Sequence, residues 1–173
     1  MIEELQSELN YVLESIDQVS GKYQINTMEL RDRLSQLDVK ELEANQQALI
    51  YAVNQIAMDK PDWTFVAARL YLNELYGKAA KSRGYERSLK YGDFYSLIKE
   101  LTDIGIYSND LLNLYSKDEI DQLAKEIKPE QDLLFNYIGL FLLADRYLAQ
   151  DYNRNVYELP QERFMIIAMT IMK

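Results

Sequence analysis

The sequence predicts an all-α, multi-helix domain with one small β-hairpin near the C-terminus. Apolar residues recur at three- and four-residue spacing through most of the 173 positions, as on the buried face of a helix. Only 6 glycines and 3 prolines interrupt them, which favours long helices and short connections. One polar break, Gln150-Asp-Tyr-Asn-Arg-Asn155, lies between short runs of Tyr, Leu and Val. Its Asp and Asn residues suit a tight turn.

In residues 3 to 19, Leu5, Leu9, Val12, Leu13 and Ile16 form one stripe, with Glu3, Glu4, Glu8 and Glu14 largely outside it. That is an amphipathic helix, and Gly21 is its expected stop. Asn26, with Glu29 three residues on, reads as a helix start before Leu30, Leu34 and Leu37. A third helix is expected from Lys40 to Met58, with Leu42, Leu49, Val53 and Ile56 inward. Asp59-Lys-Pro-Asp-Trp63 breaks the pattern and restarts it. Pro61 suits a first helical position, and Asp59 and Asp62 suit the positive helix start. Phe65, Ala68, Leu72, Leu75, Tyr76 and Ala79 line the new helix. The polar stretch Lys78 to Gly92 reads as a connection between two sub-domains.

Phe94, Leu97, Ile98, Leu101 and Ile104 predict a helix ended by Gly105, and Tyr107 to Tyr115 a short helix or turn. Ser116-Lys-Asp-Glu119 has the form of a capping box. It opens a helix with Ile120, Leu123, Ala124 and Ile127 that stops before Pro129. Asp132 to Asp145 is strongly apolar and predicts the most buried helix. Arg146 to Ala149 then pairs with Val156 to Leu159 in the hairpin, with Asp151 to Asn155 as turn and Tyr147 and Tyr157 inward. Pro160 opens the last helix, where Phe164, Ile167, Ala168 and Ile171 follow at helical spacing. So short a chain cannot cover Phe164, Ile167 and Ile171 together, which predicts an exposed apolar face and self-association there.

Composition narrows the function. A net charge of −9 disfavours nucleic acid or an anionic membrane as partner, because phosphate binding needs a basic surface. Cysteine and histidine are both absent. That removes thiol nucleophiles, thiolate metal sites and the commonest general base. No apolar run approaches the roughly 20 residues that cross a bilayer. Met1-Ile-Glu-Glu lacks a signal-peptide pattern, so a cytoplasmic location is expected. Asp118-Glu119 sits on a helix start, and Asp145, Asp103 and Glu100 form no metal-ligand pattern. No glycine-rich phosphate loop occurs, so neither a catalytic nor a metal residue is assigned.

Three runs resemble a known family. Asp145-Arg-Tyr-Leu, the polar turn, then Val156-Tyr-Glu-Leu-Pro-Gln-Glu-Arg-Phe-Met165 resembles the N-terminal helical domain of the large subunit of class I ribonucleotide reductase. Asp59-Lys-Pro-Asp-Trp-Thr-Phe-Val-Ala-Ala-Arg-Leu70 is similar to the run joining that family's ATP-sensing cone to its helical domain. Phe94-Tyr-Ser-Leu-Ile-Lys, then Gly105 through Glu119, resembles the family's next helix, Leu-Leu pair and capped helix. The pieces keep the family's order from roughly Met28 onward.

The resemblance implies structural roles for Asp59, Pro61, Asp62, Arg69, Tyr147, Tyr157, Glu158 and Pro160. It implies that residues 1–81 are a truncated ATP-cone-like helical module and 82–173 an incomplete N-terminal helical domain. The family's cone opens with a basic hairpin that is missing here. Positions of its other contacts appear as Glu41, Asn45 and Gly77. Lys78 is left as a weak candidate, and no effector binding is expected. The family reduces ribonucleotides to deoxyribonucleotides for DNA synthesis by a radical route, on cysteines of a downstream barrel. The resemblance thus implies no cofactor and no chemistry in this chain, with the radical supplied by an iron- or manganese-containing small subunit. Implied partners are the remainder of the large subunit, the small subunit through the parent, and a possible homodimer. The chain ends inside a predicted helix without a stop signal, which suggests a fragment or a split gene product. A free-standing helical protein-interaction module is the other reading that the residues leave open.

Overall fold

The computed structural model describes residues 2–36 and 44–172, with side chains from Ser7 onward. The expectations at Leu5, Leu37, Lys40, Glu41 and Leu42, and at Glu3 and Glu4, lie outside the described residues or side chains. The described chain is helical: α1 (Ile2–Tyr23), α2 (Met28–Ser35), α3 (Ala44–Gln55), α4 (Trp63–Arg83), α5 (Phe94–Asp103), α6 (Asp110–Leu114), α7 (Lys117–Ala124), α8 (Tyr137–Arg146) and α9 (Pro160–Ile171). Short 3-10 segments occupy Arg87–Leu89 and Pro129–Leu134. No described helix is long and apolar enough to cross a membrane.

The chain divides into two compact units. One comprises Met1–Glu74 and Leu133–Phe141, the other Leu75–Asp132 and Leu142–Lys173. The first unit is built on Val12, Ile16 and Val19 of α1, Leu30 and Leu34 of α2, Ala48 and Ala52 of α3, and Trp63, Val66 and Leu70 of α4. Its α3 face sets Leu49 among the alanines 44, 48 and 52. Val53 is only half-buried, and Ile56 is exposed beyond the helix end, contrary to the sequence pattern. Small residues there let the helix backbones approach closely. Phe65 stacks on Tyr23 with ring centroids 4.0 Å apart.

The second unit packs Phe94, Leu97, Ile98 and Leu101 of α5 against Leu111, Ile120, Ala149, Ile166 and Met169. Complete burial of a Leu or Ile contributes about 1.5–3 kcal/mol. Its helix ends follow the sequence signals closely. Asp93 accepts the Ser96 N–H at 2.7 Å and starts α5. Gly105 stands at φ +78 just past α5, where Ile106 N–H reaches Leu101 O at 2.8 Å. This is the left-handed helix stop that glycine supports. The Ser116–Glu119 capping box is present in both directions, and Pro160 is the first residue of α9.

Several boundaries differ from the sequence reading. Helix α1 runs through Gly21 to Tyr23, and the turn comes at Gln24, whose φ is +54. Glycine only permits a stop; it does not impose one. The cap of α2 is Thr27, one residue past Asn26, although the Asn26 side-chain Oδ1 accepts the Met28 N–H at 3.1 Å. Pro61 lies two residues before α4, in a turn where Thr64 N–H bonds Pro61 O at 3.1 Å. Helix α4 continues to Arg83, through half of the expected connection, because Ala79 and Ala80 are buried and extend its apolar face.

The stretch Asp132 to Asp145 is not one buried helix. It is a 3-10 end followed by α8, restarted by Asn136, whose Oδ1 accepts the Gly139 N–H at 2.8 Å. Leu134, Ile138, Phe141 and Leu142 are exposed. The hairpin is corrected too. Among the described residues no strand forms, and only Gln150 and Val156 make an isolated antiparallel bridge. Arg146 still belongs to α8, and the N–H groups of Tyr147 and Leu148 both close on Leu143 O, at 3.0 and 3.1 Å. Side-chain carboxylates take donors that a ladder would use. Glu158 accepts the Ala149 N–H, and Asp151 accepts those of Asn153 and Asn155, each at 2.8 Å. Tyr147 therefore points to solvent, 58% exposed, rather than inward.

Candidate functional site

The second unit encloses three carboxylates, Asp132, Glu158 and Glu162, at 2%, 0% and 0% exposure. A buried carboxylate persists only with fixed donors, and each of these has its own set. Asp132 lies within the 3-10 segment Pro129–Leu134. It accepts Tyr76 Oη at 2.5 Å, Tyr91 Oη at 2.9 Å and Gln161 Nε2 at 2.8 Å. Gln161 also grips the backbone of Lys128 through both ends of its amide, at 2.8 and 2.9 Å. Burial, then the Asp132 charge, holds the Tyr91 phenol far above its usual range, so it stays a donor.

Glu158 accepts the Ala149 N–H at 2.8 Å and the Tyr107 hydroxyl, with Arg163 Nη1 3.7 Å away. Burial raises its carboxyl, while Tyr107, the Ala149 amide and the two arginines oppose that. Glu162 is the third helical residue of α9 and accepts the Leu159 N–H at 2.8 Å, the reach-back half of a capping box. Arg83 Nη1 meets both its oxygens, at 2.8 and 3.1 Å. Arg83 also donates to Asp93 O at 2.9 Å and Tyr157 O at 3.3 Å. Burial pushes Glu162 up to about 7, against the pull of Arg83.

The residues singled out in the sequence are placed as follows. Glu158 joins this network directly, and Tyr157 through its carbonyl, with its ring half-buried against the second core. Pro160 is buried between Glu158 and Glu162. Arg69 is buried in the first unit and donates Nε to Gln18 Oε1 at 3.1 Å. Asp59, Pro61 and Asp62 line an open cleft of about 540 Å³ with Tyr23, Tyr51 and Trp63. Asn45 is buried, donating to Leu70 O at 2.9 Å and accepting from Asn73 at 3.2 Å. Lys78 is exposed on α4 at the rim of another cleft. In the second unit Tyr157, Glu158 and Pro160 come together at the network, and in the first Asp59, Pro61 and Asp62 come together at the cleft.

Sequence reasoning missed Arg83, Asp132, Gln161, Glu162 and the tyrosines 76, 91 and 107. One local signal was available: Glu162 stands three residues after Leu159 with Pro160 between, the spacing of a helix-start box. The other side-chain pairings of these residues join positions 29 to 79 apart, as in Gln161–Asp132 and Arg83–Glu162. The network can hold protons and fix backbone, but its acids face donors of their own chain. Among the described residues no group of three or more metal-binding side chains gathers.

Residues 133–173 match the ribonucleotide reductase all-alpha domain. Over 160 residues, 92% of its length, the chain is 40% identical to the ribonucleoside-diphosphate reductase subunit alpha of Helicobacter pylori (strain ATCC 700392 / 26695). It is 32% identical over 147 residues to the same subunit of Enterobacteria phage T4, covering 82% of the chain. It is 28% identical over 167 residues to the Escherichia coli (strain K12) ribonucleoside-diphosphate reductase 1 subunit alpha, covering 92%. The chain spans 19%, 18% and 20% of these relatives respectively.

Proposed function

We propose, from the premise that this chain belongs with the N-terminal regions of ribonucleotide reductase large subunits, that it is a structural and regulatory part of such a subunit and carries no chemistry itself. Similarity along 92% of the chain to a reductase alpha subunit supports this most directly. Residues 1–81 are proposed as a shortened cone module and 82–173 as an incomplete helical domain. The parent reaction, reduction of a ribonucleoside diphosphate, needs a cysteine-bearing barrel, and this sequence has no cysteine. The radical is proposed to come from a metal-containing small subunit.

The polar network suits a scaffold. Its donors tie α9 and the turn before it to α4 and to the segment before α8, so the end of the chain is held in one geometry. Outward on α9, Phe164, Ile167 and Ile171 are exposed by 49%, 42% and 75%. Their three- and four-residue spacing makes one apolar stripe, the surface proposed to meet the rest of the large subunit.

The test uses a reductase large subunit lacking its own N-terminal fifth, mixed with this chain and a small subunit. The chain should co-elute with the truncated subunit and restore reduction of a ribonucleoside diphosphate. Phe164→Glu with Ile167→Glu should abolish both effects while leaving the fold of the chain intact. Absence of co-elution by the unmutated chain would overturn the reading.

A further inference from the structure

We infer that the cleft of about 410 Å³ between Lys78, Lys81 and Ser82 of α4 and the turn Arg154–Tyr157 is a binding site for a small di- or triphosphate anion. The chain carries 28 acidic residues against 19 basic ones. Yet the residues lining this cleft include three cations and no carboxylate. Spacing produces one wall: positions 81 and 82 each stand about one helical turn past 78. The turn produces the other. Asp151 accepts the backbone N–H groups of Asn153 and Asn155 and the Asn155 side-chain amide, each at 2.8 Å. That closure holds Arg154 at φ +62 on the cleft rim. Asp151, three residues before Arg154, is thus engaged with amides of its own turn.

The cation types fit the ligand. Arginine presents a planar fork that meets two phosphate oxygens at once, whereas lysines act as point charges. The Ser82 hydroxyl adds a neutral donor. The volume lies within the range of small-ligand sites, roughly 300–1,000 Å³. An anion with charge spread over two or more phosphorus centres offers oxygens to both walls, more than a compact ion such as sulfate does. Read alone in the sequence, Lys78 is a solvated helix-end lysine; the cleft joins it to Lys81 and Arg154. The inference uses only the second unit and does not depend on the family assignment.

The test is calorimetric titration of the full 173-residue chain with sodium pyrophosphate, and separately with sodium sulfate, at low and at moderate salt. Pyrophosphate should bind at one site, at least tenfold more tightly than sulfate, and weaken as salt screens the cations. Arg154→Gln and Lys81→Gln should each weaken it by roughly tenfold. Lys99→Gln, whose lysine pairs with Asp103 at 2.8 Å, should leave it unchanged. All three side chains are exposed, so circular dichroism should show the same fold in each variant. Absence of saturable binding, equal affinity for sulfate, or equal losses in Lys99→Gln would overturn the site.

Discussion

Arg83→Met tests the buried ion pair most directly. The substitution keeps an unbranched side chain of similar length and removes the guanidinium. The side chains of Arg83 and Glu162 are only 4% and 0% exposed, so solvent offers the remaining carboxylate little relief. Breaking a buried pair from one side costs about 3–5 kcal/mol. Part of that cost depends on pH. Burial raises the folded-state pKa of Glu162 from the usual 4.5 to about 7, a gap worth roughly 3 kcal/mol. Because the folded value is the higher, this carboxyl's contribution to stability is fully present below pH 4.5 and is lost as pH rises through about 7. In Arg83→Met the attraction that lowers the pKa is gone, so the folded value climbs further. Near pH 5 the acid is protonated with or without Arg83. The variant then loses mainly the bonds to Asp93 O and Tyr157 O, about 1–2 kcal/mol. Near pH 8 it should lose the full 3–5 kcal/mol. Urea unfolding followed by far-ultraviolet circular dichroism at both pH values measures the difference, and exchange of the Leu159 amide localises it. A loss below about 1 kcal/mol at the higher pH, or an equal loss at both, would refute the reasoning.

Four further substitutions test burial, capping and backbone conformation. Leu148 is 5% exposed, so Leu148→Asp buries an unpartnered charge. It should lower the calorimetric melting midpoint by roughly 6–12 °C, whereas Tyr147→Ser beside it should change stability by less than about 0.5 kcal/mol. Ser116→Ala removes the acceptor of the Glu119 N–H and should cost about 1 kcal/mol in urea unfolding. Gly105→Ala forces a Cβ into φ +78. Nothing lies within 4 Å of that Cβ, so the expected loss of about 1 kcal/mol is purely conformational.

The sequence made local chemistry legible and long-range chemistry invisible. Ser116, Gly105 and Pro160 act over three or four residues, and the structure shows each where its spacing put it. The helical class follows for the same reason, since periodicity is a local property. The hairpin misled because Tyr147, Leu148, Val156 and Tyr157 have the composition of strands. Strand composition cannot show that Ala149 N–H goes to a glutamate or that α8 holds Arg146. The α3 face misled because larger residues outrank alanine in any hydrophobic pattern, and close packing there selects Ala48 and Ala52. Of the candidate site, Glu158 and Pro160 were named for their resemblance to a family run. Their partners Tyr107 and Arg83 could not be, because nothing in a single chain records which residues meet at separations of 51 and 79.

Buried charge is a costly way to hold a helix, and apolar substitutes often serve stability as well or better. The arrangement here does something that apolar packing does less well. A slide of α9 by one turn along its helical ridge would leave Ile166 and Met169 near other apolar neighbours. The same slide would strand Glu162 without Arg83, Gln161 without Lys128 and Asp132, and Glu158 without Tyr107. Each stranded group costs about 1–3 kcal/mol, more if charged. These polar groups thus add a penalty for a wrong register to whatever the apolar core imposes. The residues that impose it fall on one short run, Glu158 to Glu162, beside the exposed stripe of α9. A stripe proposed to meet another part of a large subunit is useful only if its azimuth and height are fixed. The polar network fixes both from the side the stripe does not use.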